Sequence, residues 1–179
     1  IGMGMVYRNM NQYEKSLECY KEVVSTMPGS EFSEEAMLAI ESIYHKMKKP
    51  EKFLEYVESN DLNTKKSEAE KEKIYFNTAE QLYLSGNYAQ AISTIRKFIE
   101  NYPQSADMLQ ANFYLAESYR QTGDKEKACE AYALVMNSES EISFVEMSKL
   151  RYAELSYDLQ RYSDAYSAYL ALYETTKME

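Results

Sequence analysis

The sequence predicts an all-α chain of repeated helical hairpins, and three observations carry that prediction. Apolar and small residues recur at helical spacing in Tyr75, Thr78, Ala79 and Leu82, and again in Tyr88, Ala91, Ile92, Ile95, Phe98 and Ile99. Five Gly and three Pro in 179 residues supply too little turn chemistry for an all-β fold. The third observation is a period. Tyr13, Pro50, Tyr88, Lys125 and Tyr162, each opening the second helix of a hairpin, are separated by steps of 37, 38, 37 and 37.

Other positions keep the same register. Three residues after each opening residue stand Ser16, Phe53, Ala91, Ala128 and Ala165. The turn before it holds Asn11, Lys48, Gly86, Gly123 and Gln160, and Gly86 suits the left-handed backbone that ends a helix. Pro28 and Pro103 close the second helices of the first and third hairpins, because proline cannot continue a helix.

Taken in order, the repeats are expected at about 1–30, 33–60, 67–103, 105–137 and 141–177, forming one solenoid. The first begins partway down its first helix, and its second helix runs from about Gln12 to Thr26. The second repeat opens near Ser33, a candidate N-cap before Glu34 and Glu35, and continues to Met47. Its second helix starts with Pro50 in a permitted first-turn position and fades by about Ser59, ahead of a loop from Asn60 to Thr64. In the third repeat, the charged run from Ser67 reads as a solvated helix face, with Glu70 attracting Lys73 and Glu68 repelling Glu72. The fourth turns at Gly123 and Asp124, and residues 138–141 supply the loop and N-cap of the fifth.

Composition narrows the function classes. A net charge of −9 opposes phosphate backbones and favours a basic partner over nucleic acid. No apolar run approaches the roughly 18 residues that a membrane span needs. Cys19 and Cys129 lie three repeats apart, too far for a disulfide if layers stack about 10 Å apart, so two free and mostly buried thiols are expected. His45 is the single histidine and reads as an exposed or groove-lining helix residue. Alone it builds neither a histidine-based metal site nor a nucleophile–base pair, and the chain has no Gly-rich phosphate loop. No enzyme, metal or cofactor is expected.

These positions resemble the tetratricopeptide repeat, a helix-turn-helix unit with small residues where its two helices cross. The third repeat carries the pattern in Ala79, Leu82, Tyr83, Gly86, Tyr88, Ala91, Phe98 and Pro103, and the fourth in Leu115, Ala116, Tyr119, Gly123, Ala128 and Tyr132. The fifth carries it in Tyr152, Ala153, Tyr162, Ala165 and Tyr169, and the first in Met3, Gly4, Tyr7, Tyr13, Tyr20 and Pro28. The second keeps mainly Tyr44, Asn112 and Lys149 stand where a bulky residue is usual, and the period of 37 exceeds the usual of about 34. The resemblance implies a right-handed superhelix of about four and a half hairpins that binds proteins non-catalytically. The phrases YPQSADMLQANFYLAESYRQTGD and GNYAQAISTIRKFIENYP look most like long-period members of the bacterial cell envelope. Those include outer-membrane assembly lipoproteins and Tol–Pal-associated coordinators, which implies a periplasmic or envelope location.

Helical geometry gives the first helix of the third repeat two stripes. Tyr75, Thr78, Ala79 and Leu82 form the packing stripe, because close helix crossing needs the small Ala79. Phe76, Glu80 and Tyr83 lie about 100° away and are expected to face the concave groove where the resemblance places peptides. Steps of 37 extend this set to Phe113, Glu117 and Arg120, then to Leu150, Glu154 and Tyr157, with Leu38, Ser42 and His45 in the second repeat. The expected ligand is an extended or helical protein segment with a basic residue for the Glu80–Glu117–Glu154 ladder. Internal partners compete for these glutamates: Arg120 is three residues from Glu117 and one repeat from the other two, and tyrosine hydroxyls are plentiful.

The last helix carries Ala165, Tyr166, Tyr169, Leu170, Leu172 and Tyr173 over more than one face, whereas a terminal solenoid helix is normally polar outside. A further repeat after Glu179, or a homodimer through this helix, is expected to cover it. A structural spacer or self-association module is therefore the alternative to a peptide-binding scaffold.

Overall fold

The computed structural model describes residues 1–60, 66–139 and 142–176. Among these, ten helices and no strands form an all-α fold: α1 Gly2–Asn9, α2 Tyr13–Thr26, α3 Glu31–Lys46, α4 Pro50–Ser59, α5 Glu68–Leu84, α6 Tyr88–Asn101, α7 Met108–Thr122, α8 Lys125–Met136, α9 Ile142–Asp158 and α10 Tyr162–Thr176. Two compact units divide the chain, residues 1–67 and 68–179. In each unit every helix packs on the next, so that hairpins stack on hairpins.

The five residues read as openers of second helices are the first residues of α2, α4, α6, α8 and α10. The turn before each is built alike. Asn11, Lys48, Gly86, Gly123 and Gln160 have φ of 57°, 58°, 80°, 85° and 61°. In each turn the amide one residue later donates to a carbonyl five residues back, from Gln12 to Tyr7 and from Arg161 to Ser156, at 2.8–3.0 Å. This αL cap satisfies the last carbonyls of the first helix and reverses the chain into the second.

Small residues let the helices of a hairpin approach. Ala79 and Ala91, Ala116 and Ala128, and Ala153 and Ala165 are all buried. In the first hairpin Gly4 lies against the Tyr20 ring, and the Ser16 hydroxyl donates to the Gly4 carbonyl at 2.7 Å. The second repeat has Glu41 and the buried Phe53 in the equivalent places, which is why its pattern is faint in sequence. The stripe of Tyr75, Thr78, Ala79 and Leu82 is buried as expected.

Some local expectations need correction. Ser30, rather than Ser33, caps α3: its hydroxyl accepts the Ser33 amide at 3.1 Å, and Ser33 is buried inside the helix. The charged run of α5 adds a pair not read from the sequence, Lys71 with Glu68 at 2.7 Å. Cys129 is buried, but Cys19 is half-buried, and both thiols are free. Residues 61–64 of the expected loop and residues 140–141 of the expected α9 cap lie outside the described residues.

Candidate protein-interaction site

In the second unit the first helices of consecutive hairpins touch, α5 against α7 and α7 against α9. The predicted groove residues fall along this row, and the structure separates them by accessibility. Phe76 is buried, with ring centroids 5.4 Å from Phe98 and 6.5 Å from Tyr114. Tyr83 stacks on Tyr114 at 4.4 Å and is half-buried. Phe113 lies 4.8 Å from Phe144 of α9 and is half-buried too. These rings weld neighbouring hairpins together, with offset and tilted geometries typical of aromatic packing.

Each glutamate of the ladder has a hydrogen-bond partner within the chain. Glu80 accepts the Tyr114 hydroxyl at 2.9 Å and the Gln110 amide at 3.4 Å. Glu117, 7% exposed, accepts the Tyr132 hydroxyl on one oxygen and the Arg120 guanidinium on the other at 2.7 Å. Arg151 of α9 stands 3.9 Å from Glu117 and donates to Glu154 at 2.9 Å. Two glutamates therefore meet two arginines, and the cluster is electrically balanced. Arg120 bonds Glu117, while tyrosine and Arg151 serve the other two rungs.

Burial and bonding fix the protonation of these groups. Burial pushes the Tyr114 hydroxyl up to about 12; the Gln110 amide lowers it, and Glu80 adds to the rise. Burial also raises Tyr132 well above the ordinary tyrosine range, reinforced by its bond to Glu117. The Glu117 bond holds Arg120 firmly protonated. At neutral pH the network keeps neutral tyrosines and charged arginines, so it serves as a fixed polar brace.

Accessible chemistry remains on α9. Leu150 is 37% exposed and Tyr157 is 61% exposed, with Glu154 open between them and Met147 41% exposed one turn earlier. These four lie at i, i+3, i+7 and i+10 and form one stripe. Met147 escaped the sequence reading, although its register equivalent is Gln110, a residue of the same row. Tyr114, Tyr132 and Arg151 escaped as well: their contacts to Glu80 and Glu117 cross between helices, and spacing along one helix does not reveal them. In the first unit, Leu38, Ser42 and His45, assigned to the inner face by register, line an open hollow of ≈ 480 Å³ with Glu41 and Lys46. Among the described residues no cluster of ligating side chains could hold a metal, and no helix is long and apolar enough to cross a membrane.

Comparison with known proteins agrees with this architecture. Tetratricopeptide repeat family models match residues 76–136 and residues 1–27. Among solved structures the chain is similar to MamA, with 15% identity, 99% of this chain and 96% of that one covered, and a TM-score of 0.58. It is also similar to the TPR-like repeats of a putative kinesin light chain from Podosopora anserina, with 14% identity, 99% and 95% coverage and a TM-score of 0.55. A third is RapI in its apo form, with 15% identity, 99% and 52% coverage and a TM-score of 0.60. At such identities the likeness is one of fold. No curated protein matches the chain.

Proposed function

Because the chain carries tetratricopeptide repeats, we propose that it is a non-catalytic scaffold that binds a protein segment along the first helices of its hairpins. The observation that supports this most is the open stripe of Met147, Leu150, Glu154 and Tyr157 on α9. Its apolar members offer anchorage for side chains of an extended or helical peptide. Glu154 offers a carboxylate for a basic residue, which would compete with Arg151 for it. Tyr83, Glu80, Phe113 and Arg120 edge the same row and are half-buried. Phe76 and Glu117 support the row from beneath and lie too deep for a ligand.

Selection from a displayed random peptide library tests this directly. Peptides enriched on the wild-type chain should lose binding to a Leu150→Ser, Tyr157→Ser double variant. Enriched peptides that bind the variant equally well would refute the α9 face as the site.

The long period and the phrases in α6 and α7 support a place within the cell-envelope type, in the periplasm. A signal peptide or lipid-attachment cysteine encoded by the full-length gene would bear that out, and a cytoplasmic location of the whole protein would contradict it. The spacer or self-association alternative draws on a different surface, α10.

A further inference from the structure

The second hairpin is the most loosely held of the five. Among the described residues its helices, α3 and α4, share less packing than the pair in any other hairpin, and α3 packs more extensively on α2 than on α4. The reason lies in the crossing. Where the other hairpins bring small residues together, this one has Glu41 and the buried Phe53, whose ring takes the space that close backbones need. α4 is also the shortest of the second helices, 10 residues against 12 to 15. In its first turn, Glu51 Oε2 is buried and has no hydrogen-bond partner among the described residues. A buried acceptor without a donor disfavours the docked position.

A residue of the preceding hairpin offsets this. Lys21 of α2 donates from Nζ to the Tyr44 hydroxyl of α3 at 2.8 Å. The same ammonium stands 4.8 Å from the centroid of the Tyr56 ring of α4. One charge thus joins three helices. Tyr44 is buried, and Lys21 and Tyr56 are half-buried. In so partly dry a corner a ring face attracts a cation more strongly than in open water.

We infer that α4 is a movable element of the first unit, latched by the Lys21 ammonium, and that it undocks from α3 as one helix while α2 and α3 stay folded. The latch is a charge set between two tyrosines, so removing the charge releases α4 even where the bulk of the side chain is kept. Undocking breaks the Lys21–Tyr56 contact and relieves the orphan oxygen of Glu51. The packing of α2 on α3 is untouched, so the opening costs less than unfolding the unit. This device is independent of the peptide-binding face on α9.

Amide hydrogen exchange of the 179-residue chain, resolved residue by residue, tests it. Residues 54–57 of α4 should be protected at least about tenfold less than residues 40–44 of α3, and their exchange should depend less on urea. Lys21→Met keeps an apolar stem and should speed exchange in α4 about two- to thirtyfold, whereas Lys21→Arg should leave it near wild type. Tyr56→Leu removes the ring and keeps apolar bulk, which supplies a second variant of the latch, and circular dichroism verifies the helices of each. Gly4→Ala strains the crossing of α1 and α2, which is the same whether α4 is docked or open, so it should speed exchange in α2 and leave α4 at its wild-type rate. Equal protection of α3 and α4 in wild type would overturn the inference. So would an α4 rate unchanged by both Lys21→Met and Tyr56→Leu, or a Gly4→Ala variant in which α4 speeds up as much as α2.

Discussion

Tyr132 of α8 donates its hydroxyl to Glu117 of α7 from beneath, while Arg120 closes on the other carboxylate oxygen at 2.7 Å. This places a charged carboxylate inside the hairpin with both oxygens satisfied. Removing the carboxylate strands a buried hydroxyl and a half-buried guanidinium, whereas removing the hydroxyl leaves the ion pair. Glu117→Ala should therefore cost about 2–4 kcal/mol and Tyr132→Phe about 1 kcal/mol. Urea denaturation of the two variants measures the difference.

Alkaline pH should unfold the chain through its tyrosines. Tyr114 titrates near 10 when unfolded and is pushed up to about 12 when folded. A raised folded pKa means that the stability is fully present below pH 10 and is lost as pH rises from 10 through 12. Tyr20, Tyr56, Tyr83, Tyr102 and Tyr132 shift in the same direction, burial being the first cause for each. Melting temperature should be level from pH 7 to about 9 and then fall. Tyr114→Phe should shallow that fall.

The hairpin turns predict gains as well as losses. Lys48 and Gln160 hold φ of 58° and 61°, a conformation that costs a side-chain-bearing residue about 1 kcal/mol. Lys48→Gly and Gln160→Gly should each stabilise by about 0.5–1 kcal/mol, and Gly123→Ala should destabilise by a similar amount. Thermal melts of the three variants should rank in that order around wild type.

Gly4 is required by contact rather than by turn geometry. A Cβ there would stand 2.8 Å from the Tyr20 ring, which is 1% exposed and has no room to retreat. Gly4→Ala should cost about 1–3 kcal/mol despite its better helix propensity. Amide hydrogen exchange should show the loss concentrated in α1 and α2. Protection unchanged from wild type would contradict the crossing described.

The parts legible in the sequence were those fixed by backbone geometry. A turn that needs φ > 0 and a crossing that needs a small side chain recur every 37 residues, so Gly86, Gly123, Ala91 and Ala128 marked their hairpins directly. What register left open was which inner-face residues stay free. Phe76, Phe113 and Leu150 occupy one register, yet they are buried, half-buried and exposed, because Phe76 lies against Phe98 and Tyr114 and Phe113 against Phe144. Glu117 is reached by Tyr132 from fifteen residues away, a partner no single-helix pattern contains, whereas Glu154 bonds Arg151 three residues before it. Ser30 and Ser33 both precede acidic residues, and their choice as cap rested on one hydrogen bond.

The most direct test of a protein-binding face on the first helices is site-specific photocrosslinking. A benzoylphenylalanine replacing Tyr157, on the stripe, is compared with one replacing Leu134, which is 67% exposed on the second helix α8. With a library-selected peptide, crosslinking should occur at position 157 and be absent at position 134. Equal crosslinking at both, or crosslinking at position 134 alone, would contradict a binding site on α9.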